Sequence, residues 1–315
     1  MTERSRATFL ATAAAGVAAT ALPRIAGAQG QKLRIAGVFS DLFGEPWYAK
    51  ASGIFAKAGF DVDLSPLANA GAVAAAIGGG ALDMGVGDLV SGVNAINAGL
   101  PVLLIAGSGL QISSENSSYL AVPKDSPIKV PKDMTGKTIA VPTLVGLSTA
   151  SLRAWLPQNG VALDTVKIVE FPQSGMVAAM QRGSLDVGLL SEPFITTSKN
   201  DIRDVGHPFD AIAKEFLVSV WYANKSWIES DRDRARRALA AIYDTARWAN
   251  THRADTFEIL VREGKYDNAD KLRGMARVTF ATALTPAMVQ PVLNTATAAK
   301  VFDHQLDANA LIAKI

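Results

Sequence analysis

Ala75-Ala76-Ile77-Gly78-Gly79-Gly80-Ala81-Leu82-Asp83-Met84-Gly85 recurs as Ala178-Ala179-Met180-Gln181-Arg182-Gly183-Ser184-Leu185-Asp186-Val187-Gly188, identical at six of eleven positions and offset by 103 residues. The surroundings repeat as well. Lys32-Leu33-Arg34-Ile35-Ala36 stands before the first copy, and Gly136-Lys137-Thr138-Ile139-Ala140 stands 104 residues later, before the second. A unit repeated at this length predicts two structurally alike lobes rather than one irregular domain. Two such lobes leave a cleft between them, and clefts of that kind are where small ligands bind.

Each copy reads as βαβαβ. In the first, the apolar run 33–38 suits a buried strand, and a loop from Phe39 to Pro46 leads into a helix over 47–58 that Gly59 ends. Residues 61–64 alternate as a strand, 72–78 form a short helix, and 83–86 a third strand. In the second, 138–141 is the strand and 142–147 the loop. Ser148 opens and caps a helix to Gln158, which Gly160 stops, and 166–171, 175–182 and 186–190 complete the unit. Short connections of this type imply an α/β fold with parallel sheets and right-handed crossovers. Gly80 and Gly183 fall where a helix ends on a left-handed residue. Asp83 and Asp186 are read as capping backbone groups at the start of a strand.

Between the units lies Tyr119-Leu120-Ala121-Val122, followed by Pro123, Pro127 and Pro131; Leu217-Val218-Ser219-Val220-Trp221-Tyr222-Ala223 is a second strand-like run. The two runs are expected to cross between the lobes as a two-stranded hinge. That places lobe one at 29–118 plus 223–315 and lobe two at 119–222. The Asp/Arg-rich run from Asp231 to Arg237 is read as the solvated face of a helix.

Residues 1–28 read as an export signal: Arg4 and Arg6, an apolar stretch over 9–22, and Ala26-Gly27-Ala28 before Gln29. Ser5-Arg6-Ala7-Thr8-Phe9-Leu10 resembles a twin-arginine signal with Ala7 in place of the second arginine. The composition is 49% hydrophobic and 19% charged, that of a globular chain. No apolar run is long enough for a mature transmembrane helix. The chain has no cysteine, hence no disulfide and no lipid-anchored cysteine. Arg4, Arg6, Arg24 and Glu3 all lie in the leader, so the net charge of +2 becomes zero without it. A neutral chain without a basic block argues against nucleic acid and against polybasic membrane binding.

Four motifs carry a family resemblance. They are Gly53-Ile54-Phe55-Ala56-Lys57-Ala58-Gly59-Phe60; Gly80-Ala81-Leu82-Asp83-Met84-Gly85; Val122-Pro123-Lys124-Asp125-Ser126-Pro127-Ile128 with Asp133-Met134-Thr135-Gly136-Lys137; and Ser191-Glu192-Pro193. In this order and spacing the chain resembles the periplasmic substrate-binding proteins of ABC importers, in the nitrate/sulfonate/taurine group with its thiamine-pyrimidine-precursor-binding relatives. The resemblance covers nearly all of 31–315. It implies a two-lobed periplasmic-binding-protein fold, type II-like, and a monomer in the periplasm that delivers a small solute to a permease. It also implies a ligand in the cleft, where loops follow strands, as ligands of parallel sheets generally lie.

The ligand-binding residues expected on that basis are Ser40, Phe43, Pro46, Trp47, Gly71 and Asp88 from lobe one. Gly146, Leu147, Ser148, Thr149, Glu192 and Trp221 complete the set. Ser148 and Thr149 open a helix, so they serve either as an oxyanion site or as an ordinary cap. Phe43 and Trp47 are an apolar wall or helix-face core, and Glu192 binds an amine or caps the following helix. Asp88 argues against a purely anionic ligand, since an unpaired carboxylate repels one.

Enzyme chemistry finds little support. His207, His252 and His304 lack metal-ligand spacing. Gly146-Leu147-Ser148-Thr149-Ala150 lacks the second glycine of a nucleophile elbow, and Gly107-Ser108-Gly109-Leu110-Gln111-Ile112 fails the dinucleotide pattern. No catalytic residue, metal or cofactor is expected. The expected function is capture of a sulfonate-, taurine- or nitrate-like solute. The alternatives are a pyrimidine or thiamine precursor, an aromatic carboxylate, or an exported lyase-like enzyme on the same fold.

Overall fold

The computed structural model describes residues 30–115, 117–266 and 269–315; the expected leader, 1–28, lies outside the described residues. β1 (Gln31–Gly37) leads through a single 3-10 turn, Asp41–Phe43, into α1 (Glu45–Ala51) and α2 (Ile54–Lys57). β2 (Phe60–Pro66), α3 (Ala70–Gly78), β3 (Met84–Asp88), α4 (Leu89–Asn97) and β4 (Val102–Gly107) follow. The helix expected over 47–58 is two helices, because Gly53 sits at φ 72° between them and a left-handed residue breaks the ladder.

The second unit comprises β5 (Gly109–Ile112), β6 (Ser118–Pro123), β7 (Thr138–Val141), α5 (Leu147–Gln158), β8 (Lys167–Glu170) and α6 (Gln173–Gln181). β9 (Val187–Ser191), α7 (Phe194–Thr197), β10 (Ile202–Gly206), β11 (Glu215–Leu217), β12 (Ser219–Asn224) and β13 (Thr279–Phe280) come after it. Helices dominate the C-terminal part, beginning with Arg232–Thr251. No helix among the described residues is long and apolar enough to cross a membrane.

Two five-stranded sheets form, in the orders β2-β1-β3-β12-β4 and β10-β6-β9-β7-β8. The repeated strands pair in parallel: β1 with β2 and β3, and β7 with β8 and β9. The sheets are nevertheless mixed. β12 runs antiparallel to β3 and β4, and β6 antiparallel to β9, because each comes in from the opposite lobe.

The expected hinge strands are therefore sheet strands. Residues 119–122 belong to β6 and Trp221 to β12, so lobe two as bounded at 119–222 runs into the first sheet. Both runs are apolar because they fill sheet interiors. The crossings are the shorter strands just before them, β5 and β11. These pair antiparallel from Glu215↔Ile112 to Leu217↔Leu110, with β13 on the other side of β5.

The repeated aspartates do the same job twice. Asp83 accepts the Arg34 amide at 2.8 Å, and Asp186 accepts the Thr138 amide at 2.8 Å. In return the Asp83 amide donates to Arg34 O at 3.0 Å and the Asp186 amide to Thr138 O at 3.1 Å. Each aspartate so closes its third strand onto the first. Asp83 also takes the Arg34 guanidinium at 2.6 Å. Gly80 and Gly183 follow the repeated helices at φ 76° and 72°.

Candidate functional site: a cavity between the two sheets

At the carboxyl ends of β1, β3, β7 and β9 the chain encloses a cavity of about 230 Å3. Ser40, Leu42 and Phe43 reach it from the 3-10 turn after β1, and Asn69 and Ala70 from the start of α3. Asp88 ends β3. Across the gap stand Pro142 and Thr143 from the loop after β7, Leu147 and Ser148 from the start of α5, Gln173 and Ser174 from the start of α6, Ser191 at the end of β9 and Phe194 beyond it. Phe39, Leu67, Phe209 and Val218 add apolar wall. No Lys, Arg or His is among the described residues lining it.

Asp88 joins the two sides. One carboxylate oxygen accepts the Ser91 amide at 2.9 Å, capping α4, and also the Leu147 amide at 3.0 Å, the first of α5. The other accepts the Ser91 hydroxyl at 2.6 Å. The Tyr222 hydroxyl donates to Asp88 O from beneath. Burial raises the Asp88 carboxyl above its ordinary range, while the bonds from Ser91 and Leu147 act against that rise. Gly146 permits the approach: a Cβ there would lie 2.5 Å from Thr143 Cγ2 and 3.2 Å from Asp88 Oδ2.

Ser148 is thus not the cap expected from the sequence. Gly146 holds the cap position without a side-chain bond, and Asp88 supplies the acceptor from the other lobe. Ser148 lines the cavity, but Thr149 turns away and donates to Thr143 O at 2.7 Å, closing its own loop.

Of the twelve expected residues, Ser40, Phe43, Asp88, Leu147 and Ser148 line the cavity. The other seven lie elsewhere. Pro46 is buried in the first turn of α1, and Trp47 packs edge-on against Phe39 at 5.2 Å, facing a neighbouring surface hollow with Lys50 and Lys265. Gly71 is in the first turn of α3. Glu192 binds Thr196 through its amide at 3.1 Å and its hydroxyl at 2.8 Å, bracing α7. Trp221 is fully buried in β12, stacked on Phe55 and bonded to Glu45.

Sequence reasoning missed Asn69, Thr143, Gln173, Ser174, Phe194 and Phe209. A signal for two of them existed. Asn69 precedes the first Ala-rich helix, and Pro172, 103 residues on, precedes its copy, with Gln173 next to it at the helix start. Asn69 Oδ1 caps α3 by accepting from Ala72, and Gln173 Oε1 accepts from Ser191, which leaves both amide NH2 groups as donors beside the cavity.

The NMT1/THI5-like family profile matches residues 45–255, spanning both sheets. The chain belongs to this family. It is also 31% identical over 158 residues to the taurine-binding periplasmic protein of Escherichia coli (strain K12). That match takes in 49% of this chain and spans about half the relative's length, 46%.

Among solved structures, this family member resembles the alkanesulfonate-binding protein SsuA from Xanthomonas axonopodis pv. citri bound to MOPS. The TM-score is 0.76 and the identity 13%, over 91% of this chain and 99% of that one. It also resembles the periplasmic nitrate-binding protein NrtA from Synechocystis, with a TM-score of 0.73 and 13% identity over 90% and 85%. At such identities the likeness shows the fold, that of periplasmic binding proteins.

Proposed function

We propose that this chain is a solute-binding protein of the sulfonate/taurine/nitrate type. It is exported to the periplasm by its residues 1–28, holds a small organic solute in the cavity between its sheets, and hands it to the permease of an ABC importer. The observation that carries this reading is the cavity itself, furnished by both lobes at the ends of their parallel strands. Hinge motion about β5 and β11 admits the solute. Both Asp88 oxygens are engaged, which supports a binding site over a general base.

The lining suggests what fits. Phe39, Phe43, Phe194 and Phe209 offer apolar surface, while Ser40, Asn69, Ser148 and Gln173 offer neutral donors. An apolar body with a hydrogen-bond-accepting head matches this set. A second reading, a pyrimidine or an aromatic carboxylate, is favoured by the aromatic, cation-free wall.

A thermal-shift screen of taurine, MOPS, alkyl and aryl sulfonates, nitrate, benzoate and a pyrimidine tests the proposal. A ligand at about a hundred times its Kd stabilises by about 2.7 kcal/mol, a shift of roughly 5–11 °C. A flat response throughout, or product formed from any of these compounds, would remove the reading.

A further inference from the structure

Helix α5 aims its first amides at the cleft, and in this protein the first of them is already taken by Asp88. We propose that Asp88 is a specificity-determining residue that keeps a ligand's oxyanion off the start of α5 and turns the ligand's polar head toward Ser40, Asn69 and Gln173. The inference rests on the solute-binding reading and deepens it.

Three observations support it. First, the Leu147 amide donates to Asp88 at 3.0 Å, so a negative charge from lobe one stands where a ligand anion would meet α5 of lobe two. Second, no Lys, Arg or His among the described lining residues offsets that charge, so an anion placed beside this buried carboxylate would be repelled. Third, donors without an internal use lie elsewhere in the cavity. Among the described residues Ser40 Oγ is buried with no partner, and nothing takes the NH2 groups of Asn69 and Gln173. A buried unpartnered hydroxyl lining a cavity is a group waiting for a ligand atom. The donors around the cavity are therefore not equivalent: the Leu147 amide at the start of α5 is taken by the protein itself, whereas the Asn69 and Gln173 NH2 groups have no partner among the described residues.

Asp88→Asn and Asp88→Ala separate this role from mere bracing. Asparagine keeps the acceptor for Leu147 and Ser91 while removing the charge, so it decides the matter if the alanine variant does not fold. Protein labelled with 15N-leucine is titrated with sodium sulfate at constant ionic strength, and the Leu147 resonance is followed. Saturable movement is expected in the variants at sulfate concentrations at least about tenfold below any that move it in the natural chain. An equal response in the natural chain overturns the proposal, because the amide is then open to anions despite Asp88. Absence of a response in the asparagine variant overturns it too, because the Asp88 charge is then not what excludes them. The titration reads Asp88 alone; failure of the transport reading shows separately, as a natural chain that no solute stabilises.

Discussion

Trp221 donates its indole N–H to Glu45 Oε2 at 2.8 Å, and neither side chain reaches solvent. Burial pushes the Glu45 carboxyl from 4.5 up to about 8, with the Trp221 bond opposing it. The folded chain therefore keeps the proton after the unfolded chain has lost it. The resulting stability is complete below about pH 4.5 and is lost as pH rises through about 8, a change of up to about 5 kcal/mol. Asp88 and Glu192, also raised by burial, act in the same direction. Glu45→Gln removes the titration and keeps an acceptor for Trp221. Denaturant midpoints at about pH 5 and about pH 8.5 should show the natural chain losing more than the variant. Parallel losses would clear Glu45 of the effect.

Arg277 holds the 3-10 turn that carries Ser40 and Phe43. Its guanidinium meets Asp41 at 2.9 and 3.0 Å, while the Tyr48 hydroxyl donates to Asp41 at 2.6 Å and the Val278 amide at 2.9 Å. Arg277→Ala strands a buried carboxylate and should cost about 3–5 kcal/mol in urea unfolding. Adding Asp41→Asn should recover part of that loss. A double variant as unstable as the sum of the two singles would mean the ion pair is not the cause.

Ser40 separates stability from binding. Its hydroxyl has no partner among the described residues, so Ser40→Ala should leave the denaturant midpoint unchanged or slightly raised. Affinity for the solute found in the screen should fall about two- to tenfold by calorimetry, the worth of one neutral hydrogen bond. A drop in stability at unchanged affinity would make Ser40 a structural residue.

Two glycines should respond oppositely to alanine. At Gly92 a Cβ would stand 2.3 Å from Tyr222 Cε1, and the buried ring has nowhere to go. Gly92→Ala should destabilise by about 1–3 kcal/mol and disturb Asp88, which Tyr222 supports. At Gly71 the nearest atom is Asn69 Oδ1 at 3.4 Å, so Gly71→Ala should be tolerated and gain up to about 1 kcal/mol of helix propensity. Thermal melts of the two variants give the comparison.

The repeat made the architecture legible, since periodicity and turn glycines are local. It placed β7 at its observed limits and located Asp83 and Asp186 in the roles they fill. The hinge was misplaced because an apolar run reads alike whether it crosses between lobes or lies within a sheet. Residues that follow strands, such as Ser40, Asp88 and Ser148, were found from topology. The destinations of Trp221 and Thr149 were not, because their partners, Glu45 and Thr143, are chosen by packing that no spacing encodes. Asp88 was recognised as a charge in the cleft, but its bond to Leu147 depends on how two lobes meet.

The position of β12 makes the first sheet depend on a distant stretch of the chain. The second sheet uses strands drawn from Ser118 to Gly206, a continuous stretch, whereas the first keeps a gap between β3 and β4 until Ser219–Asn224 arrive. The residues up to Gly206 thus include every strand of one sheet but leave the other with two strand edges facing each other. The strand that fills the gap brings Trp221 to Glu45 and Tyr222 to Asp88 together. The strand that completes the first sheet therefore both seals its interior and props the cleft.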